Sequence, residues 1–314
     1  MNSRKETRRH KKRRKWPFWL GGILLALFLL VGGYAFYLYN QLGSTVASMH
    51  TPLERDSDPE RQEELKRLFN DKDAVNVLLL GVDERVGDSG RSDTMILVSA
   101  NPNTDSMKML SIPRDTYVDI PGYGMDKINH AYAYGGVELS VETVQEAFDL
   151  PVHFYARVNM EGFQQGIDAL DGVTVQNAQS FSQGGKNFPQ GEIHLNGEEA
   201  LEYIRMRKND PRGDLGRNER QRQVVTAALQ QAASFSSIGK VDDILNILGS
   251  NVQTDMDMDI LQTLFTGYRG ALTNIETLEI NGEGRTINGV WYLVVPDSEF
   301  TRISAEIQGH MDAK

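Results

Sequence analysis

Trp16 to Tyr39 is a run of 24 residues without a charge, and it follows a tail, residues 1–15, that holds nine lysines or arginines and one glutamate. About 20 apolar residues suffice to cross a bilayer, so this stretch, with Ile23 to Val31 wholly apolar, spans one with some tilt. Trp16, Phe18 and Trp19 bracket it on one side and Tyr34, Phe36, Tyr37 and Tyr39 on the other, the interfacial belt of a spanning helix. The basic flank keeps the N-terminus in the cytoplasm and sends the remainder outside. A cleaved signal peptide has a shorter apolar core and a small-residue cleavage site, which is poorly marked here. The sequence therefore predicts a basic cytoplasmic tail (1–15), an uncleaved signal-anchor helix (16–39), an extracellular stalk (40–73, with Pro52 and Pro59) and an extracytoplasmic domain (74–314). The expected location is the cell membrane, single-pass.

Beyond residue 15 the chain has 24 basic against 42 acidic residues, a net −18. Such a balance argues against non-specific nucleic-acid binding. The chain has no cysteine, so disulfide and thiolate chemistry are absent. The apolar runs Val75 to Val82, Met95 to Ala100, Met107 to Ile112 and Val152 to Val158 read as buried strands. Short strands are expected at Val173 to Val175, Ile275 to Ile280 and Val290 to Val295. Helical spacing covers Glu60 to Asn70, Glu138 to Leu150, Met160 to Leu170, Asn196 to Ile204, a long stretch from near Gly216 to Phe235, Val241 to Leu248 and Met258 to Leu272, with a last helix from Asp297. The stretch from Pro113 through Pro121, Gly122 and Gly124, and the Gly-, Gln- and Asn-rich stretch up to Leu195, read as loops. Helices alternating with strands predict an α/β fold, a mixed sheet covered by helices on both faces.

Within this acidic chain, Arg205 to Gln223 holds six arginines in nineteen residues. Arginine clusters are suited to multiply charged phosphates. Arg205 and Arg207 share a face if the backbone is extended there, and Arg217, Arg220 and Gln221 share one if a helix starts near Gly216. Arginines in a first helical turn oppose the macrodipole, which a bound anion would relieve. The competing reading is a solvated basic face.

Motifs for zinc, thiol, P-loop and serine-hydrolase chemistry are absent. His153 lies in an apolar run and reads as a core residue. What remains is carboxylates and arginines. Asp83 ends the first strand and Asp93 precedes the second, so one loop brings both to the same sheet end, where α/β sheets bind ligands. Two carboxylates supplemented by phosphate oxygens and water suit Mg2+; two turn-forming aspartates are the alternative. Arg114-Asp115 follows the third strand, either as a surface ion pair or as an anion clamp. Arg85, Arg91, Arg114, Arg205, Arg207, Arg217 and Arg220 with Asp83 and Asp93 thus form a candidate phosphate-plus-Mg2+ constellation. Arg212 and Arg222 are left out of it.

These motifs, in this order, resemble the LytR–CpsA–Psr family of membrane-anchored proteins. The carriers are Gly81-Val82-Asp83, Arg91-Ser92-Asp93-Thr94, Ser111-Ile112-Pro113-Arg114-Asp115, Lys127-Ile128-Asn129-His130-Ala131 with Gly135-Gly136, and Arg205-x-Arg207 through Asp214-x-Gly216-Arg217 to Arg220-Gln221. The resemblance implies a phosphotransferase that moves a glycopolymer, wall teichoic acid or a similar anionic polymer, from a polyprenyl-pyrophosphate carrier to peptidoglycan. It implies Mg2+ on Asp83 and Asp93, pyrophosphate on Arg91, Arg114, Arg205, Arg207, Arg217 and Gln221, and Asp214 orienting the arginines. Asp115 or Asp93 is expected to take the acceptor's proton. Arg114, Asp115, Arg205, Arg207 and Arg217 are the expected catalytic set. A lipid-pyrophosphate phosphatase using water on the same site, and a non-enzymatic envelope regulator, are the other readings. An apolar pocket for the lipid is expected near the helices at 138–149 and 217–235.

Overall fold

Alternate side chains of the Val75–Val82 run turn to opposite sides of a sheet. Leu78, Leu80 and Val82 are buried in one core, while Val75 belongs to a second, against which Val77 and Leu79 pack. A strand that feeds two cores has to lie between layers. The computed structural model describes residue 37 and residues 40–83, 90–207, 210–234, 247 and 249–314. They fall in two units, Met1–Gly43 and Ser44–Lys314. Of the first unit only residues 37 and 40–43 are described, all helical. The expected membrane helix at 16–39 therefore lies, apart from Tyr37, outside the described residues. Among the described residues no helix is long and apolar enough to cross a membrane.

The second unit begins well before residue 74: the stretch read as a stalk is part of it from Ser44 onward. Leu53 joins the first core, and helix α1 (Pro59–Asp71) buries Leu65 and Leu68 in the second. Asp58 caps α1 by accepting from Glu60 N at 2.9 Å. Strands β1 (Val75–Val82), β2 (Ser92–Asn101) and β3 (Ser106–Ser111) follow as an antiparallel meander. The segment after Pro113, expected as loop, instead forms a hairpin, β4 (Tyr117–Ile120) and β5 (Gly124–Lys127). Helix α2 (His130–Phe148) starts eight residues earlier than expected and carries a kink at Gly135 and Gly136, whose backbones are not helical.

Strand β6 (Phe154–Asn159) runs parallel to β1, and helix α3 (Met160–Ala169) follows. The polar stretch before Leu195 is also more ordered than its composition predicts. It holds β7 (Val173–Asn177), the hairpin β8 (Phe181–Gln183) and β9 (Lys186–Phe188), and β10 (Gly191–Leu195), which pairs with β7. Most polar side chains there face solvent, Asn177 being buried and donating to Phe188 O and Pro189 O, while Val173, Val175, Phe188 and Leu195 point into a third core. Helix α4 (Gly197–Arg205) has the full capping box of Asn196 and Glu199. Helix α5 (Asp214–Ser234) starts two residues before Gly216. The helix expected at 241–248 lies mostly outside the described residues.

Strand β11 (Val252–Thr254), helix α6 (Met258–Gly267), strand β12 (Ile275–Leu278), the hairpin β13 (Glu283–Ile287) and β14 (Val290–Val294), and helix α7 (Asp297–Asp312) complete the chain. The main sheet has the order β11-β6-β1-β2-β3-β12, with β6 on β1 and β12 on β3 parallel and the rest antiparallel. Residues of α2 and α7 (Val144, Phe148, Ile303, Ile307) cover one face; α1, α5 and α6 (Leu68, Val225, Leu264) cover the other. The mixed sheet with helices on both faces is as the sequence predicts.

Candidate active site

The meander brings the end of β1, the start of β2 and the end of β3 to one edge of the sheet, as the strand order requires. The β1–β2 register slips between Gly81, opposite Thr94, and Val82, opposite Ser92, so Asp93 is the extra residue of a bulge, and Asp83 follows it with its N donating to Arg91 O at 3.3 Å. After β3, Thr116 Oγ1 donates to Pro113 O at 2.6 Å, closing a turn that presents Arg114 and Asp115. The Lys127-Ile128-Asn129 segment folds back over that turn: Ile128 N donates to Thr116 O at 2.8 Å and Asn129 N to Arg114 O at 3.3 Å.

Arg114 Nη1 donates to Asp93 Oδ1 at 2.6 Å, and Arg114 Nε lies 3.7 Å from Asp115 Oδ2. Lys127 Nζ donates to Asp115 Oδ1 at 2.6 Å. Burial opposes the charge on Arg114, but Asp93, Asp115 and Asp214 outweigh it and hold the guanidinium above its ordinary value. Arg217, from the first turns of α5, approaches from the other side. It is buried, with Asp214 at 2.8 Å. Its guanidinium is pulled below its ordinary value by burial, with Asp214 and Asp93 opposing the shift and Arg114 and Arg207 adding to it. Arg114 and Arg217 each have a carboxylate partner, while the buried Nε of each makes no hydrogen bond, as is also true of Arg220 and Arg222. Guanidinium groups brought this near one another, with burial opposing the charge of both, suit a multiply charged anion.

A cavity of about 530 Å³ opens here, lined by Arg114, Asp115, Lys127, Arg207, Asp210, Gly213, Asp214 and Trp291. Arg207 is exposed and has no ion pair among the described residues. The other expected residues are placed differently. Arg205 ends α4, is exposed, pairs with Glu202 at 3.2 Å and does not line this cavity. Arg220 is buried, donating to Asp210 Oδ2 at 2.7 Å and to Met206 O at 2.6 Å, with its guanidinium 5.4 Å from the Phe181 ring. It braces the loop and has no free donor pair facing the cavity. Arg91 is exposed and acts on Tyr134. Arg85 lies outside the described residues. Arg212 pairs with Glu219 and Arg222 with Glu279, and both line a separate polar groove. Because α5 begins at Asp214, that carboxylate supplies part of the negative charge its basic start demands.

Gln221 is buried and lines a second, apolar cavity of about 180 Å³ with Gly81, Thr94, Ile96, Phe163, Ile204 and Val225. A third, of about 310 Å³, is lined by Val77, Val98, Leu229, Ala232, Leu264 and Leu272. Leu79 borders both. Residues 221, 225, 229 and 232 lie along one stripe of α5, spanning roughly 16 Å at 1.5 Å per residue. One helix thus carries the arginine site at its start and apolar cavities along its length. Helix α2, the other element expected beside a lipid pocket, is on the opposite face of the sheet.

Among the described residues no three His, Asp or Glu side chains group as an ion site by themselves. Asp83 and Asp93 are both half-buried, and Asp93 has one oxygen engaged by Arg114. Two carboxylates short of a full shell fit Mg2+, which completes its octahedron with water and phosphate oxygens. Asp210 and Trp291 were not foreseen as site residues. Asp210 is signalled only by an Asp-Pro turn, and Trp291 only by being the one tryptophan beyond residue 19.

The chain matches the LytR_cpsA_psr family over residues 36–309. It is 67% identical over 317 residues to the polyisoprenyl-teichoic acid–peptidoglycan teichoic acid transferase TagU of Oceanobacillus iheyensis, covering 99% of each chain. The crystal structure of TagU from B. subtilis is similar with a TM-score of 0.63 at 40% identity, over 77% of this chain and 99% of that one. The structure of TagT bound to LIIa-WTA is similar with a TM-score of 0.71 at 33% identity, over 84% of this chain and 100% of that one.

Proposed function

The chain belongs to the LytR–CpsA–Psr family, and from that membership and the site's geometry we propose that it transfers teichoic acid from a polyprenyl-pyrophosphate carrier to peptidoglycan. The observation that carries this reading is the juxtaposition of Arg114, Arg207 and Arg217 with apolar cavities running along α5, the helix that carries Arg217. A lipid pyrophosphate needs both: a charged seat for its head and a dry channel for its tail. Arg114, Arg207 and Arg217 bind the pyrophosphate, Asp214 orients Arg217, and Gln221 marks the passage from head to tail. Leu79, Val225 and Leu229 face the isoprenoid.

In the reaction a sugar hydroxyl of the acceptor attacks the polymer-side phosphorus. A new O–P bond forms, the bridging P–O bond breaks, and polyprenyl phosphate leaves with that oxygen. Asp115, which lines the cavity, takes the hydroxyl proton. Charge stabilisation by positioned guanidinium groups accounts for catalysis without a covalent nucleophile. Four cations (Arg114, Lys127, Arg207, Arg217) face three carboxylates (Asp93, Asp115, Asp214) before Asp83 is counted and with Asp210 set against its own partner Arg220, so the arginines alone do not balance a pyrophosphate. Mg2+ held by Asp83 and Asp93 would supply the missing positive charge on the phosphate oxygens. We further propose that residues 16–39 anchor the chain in the membrane, which raises its effective concentration beside a lipid-borne substrate.

The test supplies purified full-length chain with lipid-linked teichoic acid and peptidoglycan. Polymer phosphorus should appear covalently in the peptidoglycan, one polyprenyl phosphate being released per attachment. Release of carrier without attachment identifies a hydrolase and refutes the transferase reading.

A further inference from the structure

Trp291 is 46% exposed, yet its position is built. It lies on β14 opposite Thr286, and a Cβ at Gly284 would come within 3.0 Å of its Nε1 and 3.1 Å of its Cζ2. The indole therefore lies against the glycine of the neighbouring strand, where a methyl would press on the ring and a larger side chain would displace it. The hairpin carrying it is fixed to the catalytic turn: Leu293 N donates to Asp115 O at 2.8 Å, and Leu293 bridges Thr116. On the hairpin's other face Tyr292 packs on Tyr117 at 4.7 Å, lies 5.6 Å below Lys127 Nζ and donates to Asp126, which also accepts from Tyr134 at 2.6 Å. The result is a large, partly exposed aromatic surface on an anchored hairpin at the wall of the charged cavity, beside Arg114, Asp115 and Lys127.

A single exposed aromatic ring needs no reason of its own, but one that lies against a bare glycine beside charged hydrogen-bonding groups is suited to a ligand with both an apolar face and polar groups. An isoprenoid tail would not seek this wall, because its apolar cavities lie along α5. A pyranose ring does suit it, since it has an apolar C–H face to stack and a rim of hydroxyls for Asp115 and Lys127. We propose that Trp291, seated on Gly284, is the stacking platform of a sugar subsite adjoining the phosphate site. The inference rests on the phosphate reading of the neighbouring arginines. The sugar belongs either to the glycan acceptor or to the first residue of the donor, and the chemistry of recognition is the same.

The chain contains three tryptophans, Trp16, Trp19 and Trp291. Trp16→Phe with Trp19→Phe in the full-length, detergent-solubilised chain makes Trp291 the sole indole. Chitotetraose, a phosphate-free N-acetylglucosamine oligomer, should then shift the fluorescence on titration. By calorimetry Trp291→Ala should lose at least about tenfold more affinity for chitotetraose than for inorganic pyrophosphate, with Trp291→Tyr recovering most of it. Gly284→Leu, which unseats the indole, should reproduce the loss. If oligomer and pyrophosphate bind together, the ring is the acceptor's; if UDP-N-acetylglucosamine displaces the oligomer, it is the donor's. Either result supports the platform. Unchanged chitotetraose affinity in Trp291→Ala overturns it, as does native chain that binds pyrophosphate but neither sugar. Absence of pyrophosphate binding in the native chain would instead count against the arginine site.

Discussion

Adding a single methyl group at Gly216 should dismantle the loop that holds the arginine site. A Cβ there would meet Asp210 Oδ2 at 1.8 Å and Cγ at 2.3 Å, so the carboxylate has to leave. Asp210 has nowhere equivalent to go. Its side chain is 1% exposed, it is 2.7 Å from Arg220, and it also accepts from Arg212 N at 2.8 Å. Burial alone would raise its pKa; Arg220 and the Arg212 N–H outweigh that and hold the carboxyl below its usual range. Expelling it leaves the Arg220 guanidinium, 6% exposed, without its counter-charge. Breaking a buried pair in this way costs about 3–5 kcal/mol, and alanine's better helix propensity returns at most about 1. Gly216→Ala should therefore lose roughly 2–4 kcal/mol in urea unfolding with an unchanged m-value. Asp210→Asn should lose a similar amount, and the double variant little more than either, because both delete one interaction. Stability of Gly216→Ala within about 0.5 kcal/mol of native, or additive losses, would refute the close-approach argument.

Other consequences can be checked separately. Leu229→Trp fills the larger apolar cavity and should weaken farnesyl pyrophosphate by about tenfold while leaving inorganic pyrophosphate within a factor of two, as competition binding would show. His153 is buried with Nδ1 accepting from Asn76 N at 2.8 Å, and burial, then Arg61 and Arg55, lower its pKa from 6.5 to about 4. The folded state then binds fewer protons than the unfolded one, so its contribution is full above pH 6.5 and is lost as pH falls through 4. Over that window it amounts to about 3 kcal/mol, at 1.36 kcal/mol per pKa unit. The difference in unfolding free energy between native chain and His153→Gln measures it, free of Asp255, whose carboxyl burial pushes up to about 7 and which titrates in the opposite sense.

The sequence carried the main sheet because β1, β2, β3 and β6 are each built on a short apolar run, Val75 to Val82, Met95 to Val98, Met107 to Leu110 with Lys108 as its one polar residue, and Phe154 to Ala156, and runs of that kind have one stable place. It missed the β4–β5 and β8–β9 hairpins because both are short, polar and rich in glycine, so their pairing is fixed by what they pack against. Asp83, Asp93, Arg114 and Asp115 were legible as a group because strand ends converge whatever the loops do. The arginine run was less so. Six similar residues differ in role according to which carboxylate each meets: Arg217 is paired with Asp214, which lines the cavity, Arg220 is locked to Asp210, Arg205 to Glu202 and Arg222 to Glu279. Such pairings are long-range facts of packing. Trp291 shows the same limit, since its role depends on a glycine in the adjacent strand.

The affinity of the full-length chain for a long-chain polyprenyl pyrophosphate, measured by calorimetry for native protein, Arg217→Ala and Arg212→Ala, tests the arginine site most directly. Arg212 pairs with Glu219 and lies outside the charged cavity, so its loss should leave affinity within a factor of two of native. Arg217→Ala should lose about tenfold or more, equivalent to about 1.4 kcal/mol per decade. Equal affinities for native chain and Arg217→Ala would contradict the assignment of this cluster as the pyrophosphate site.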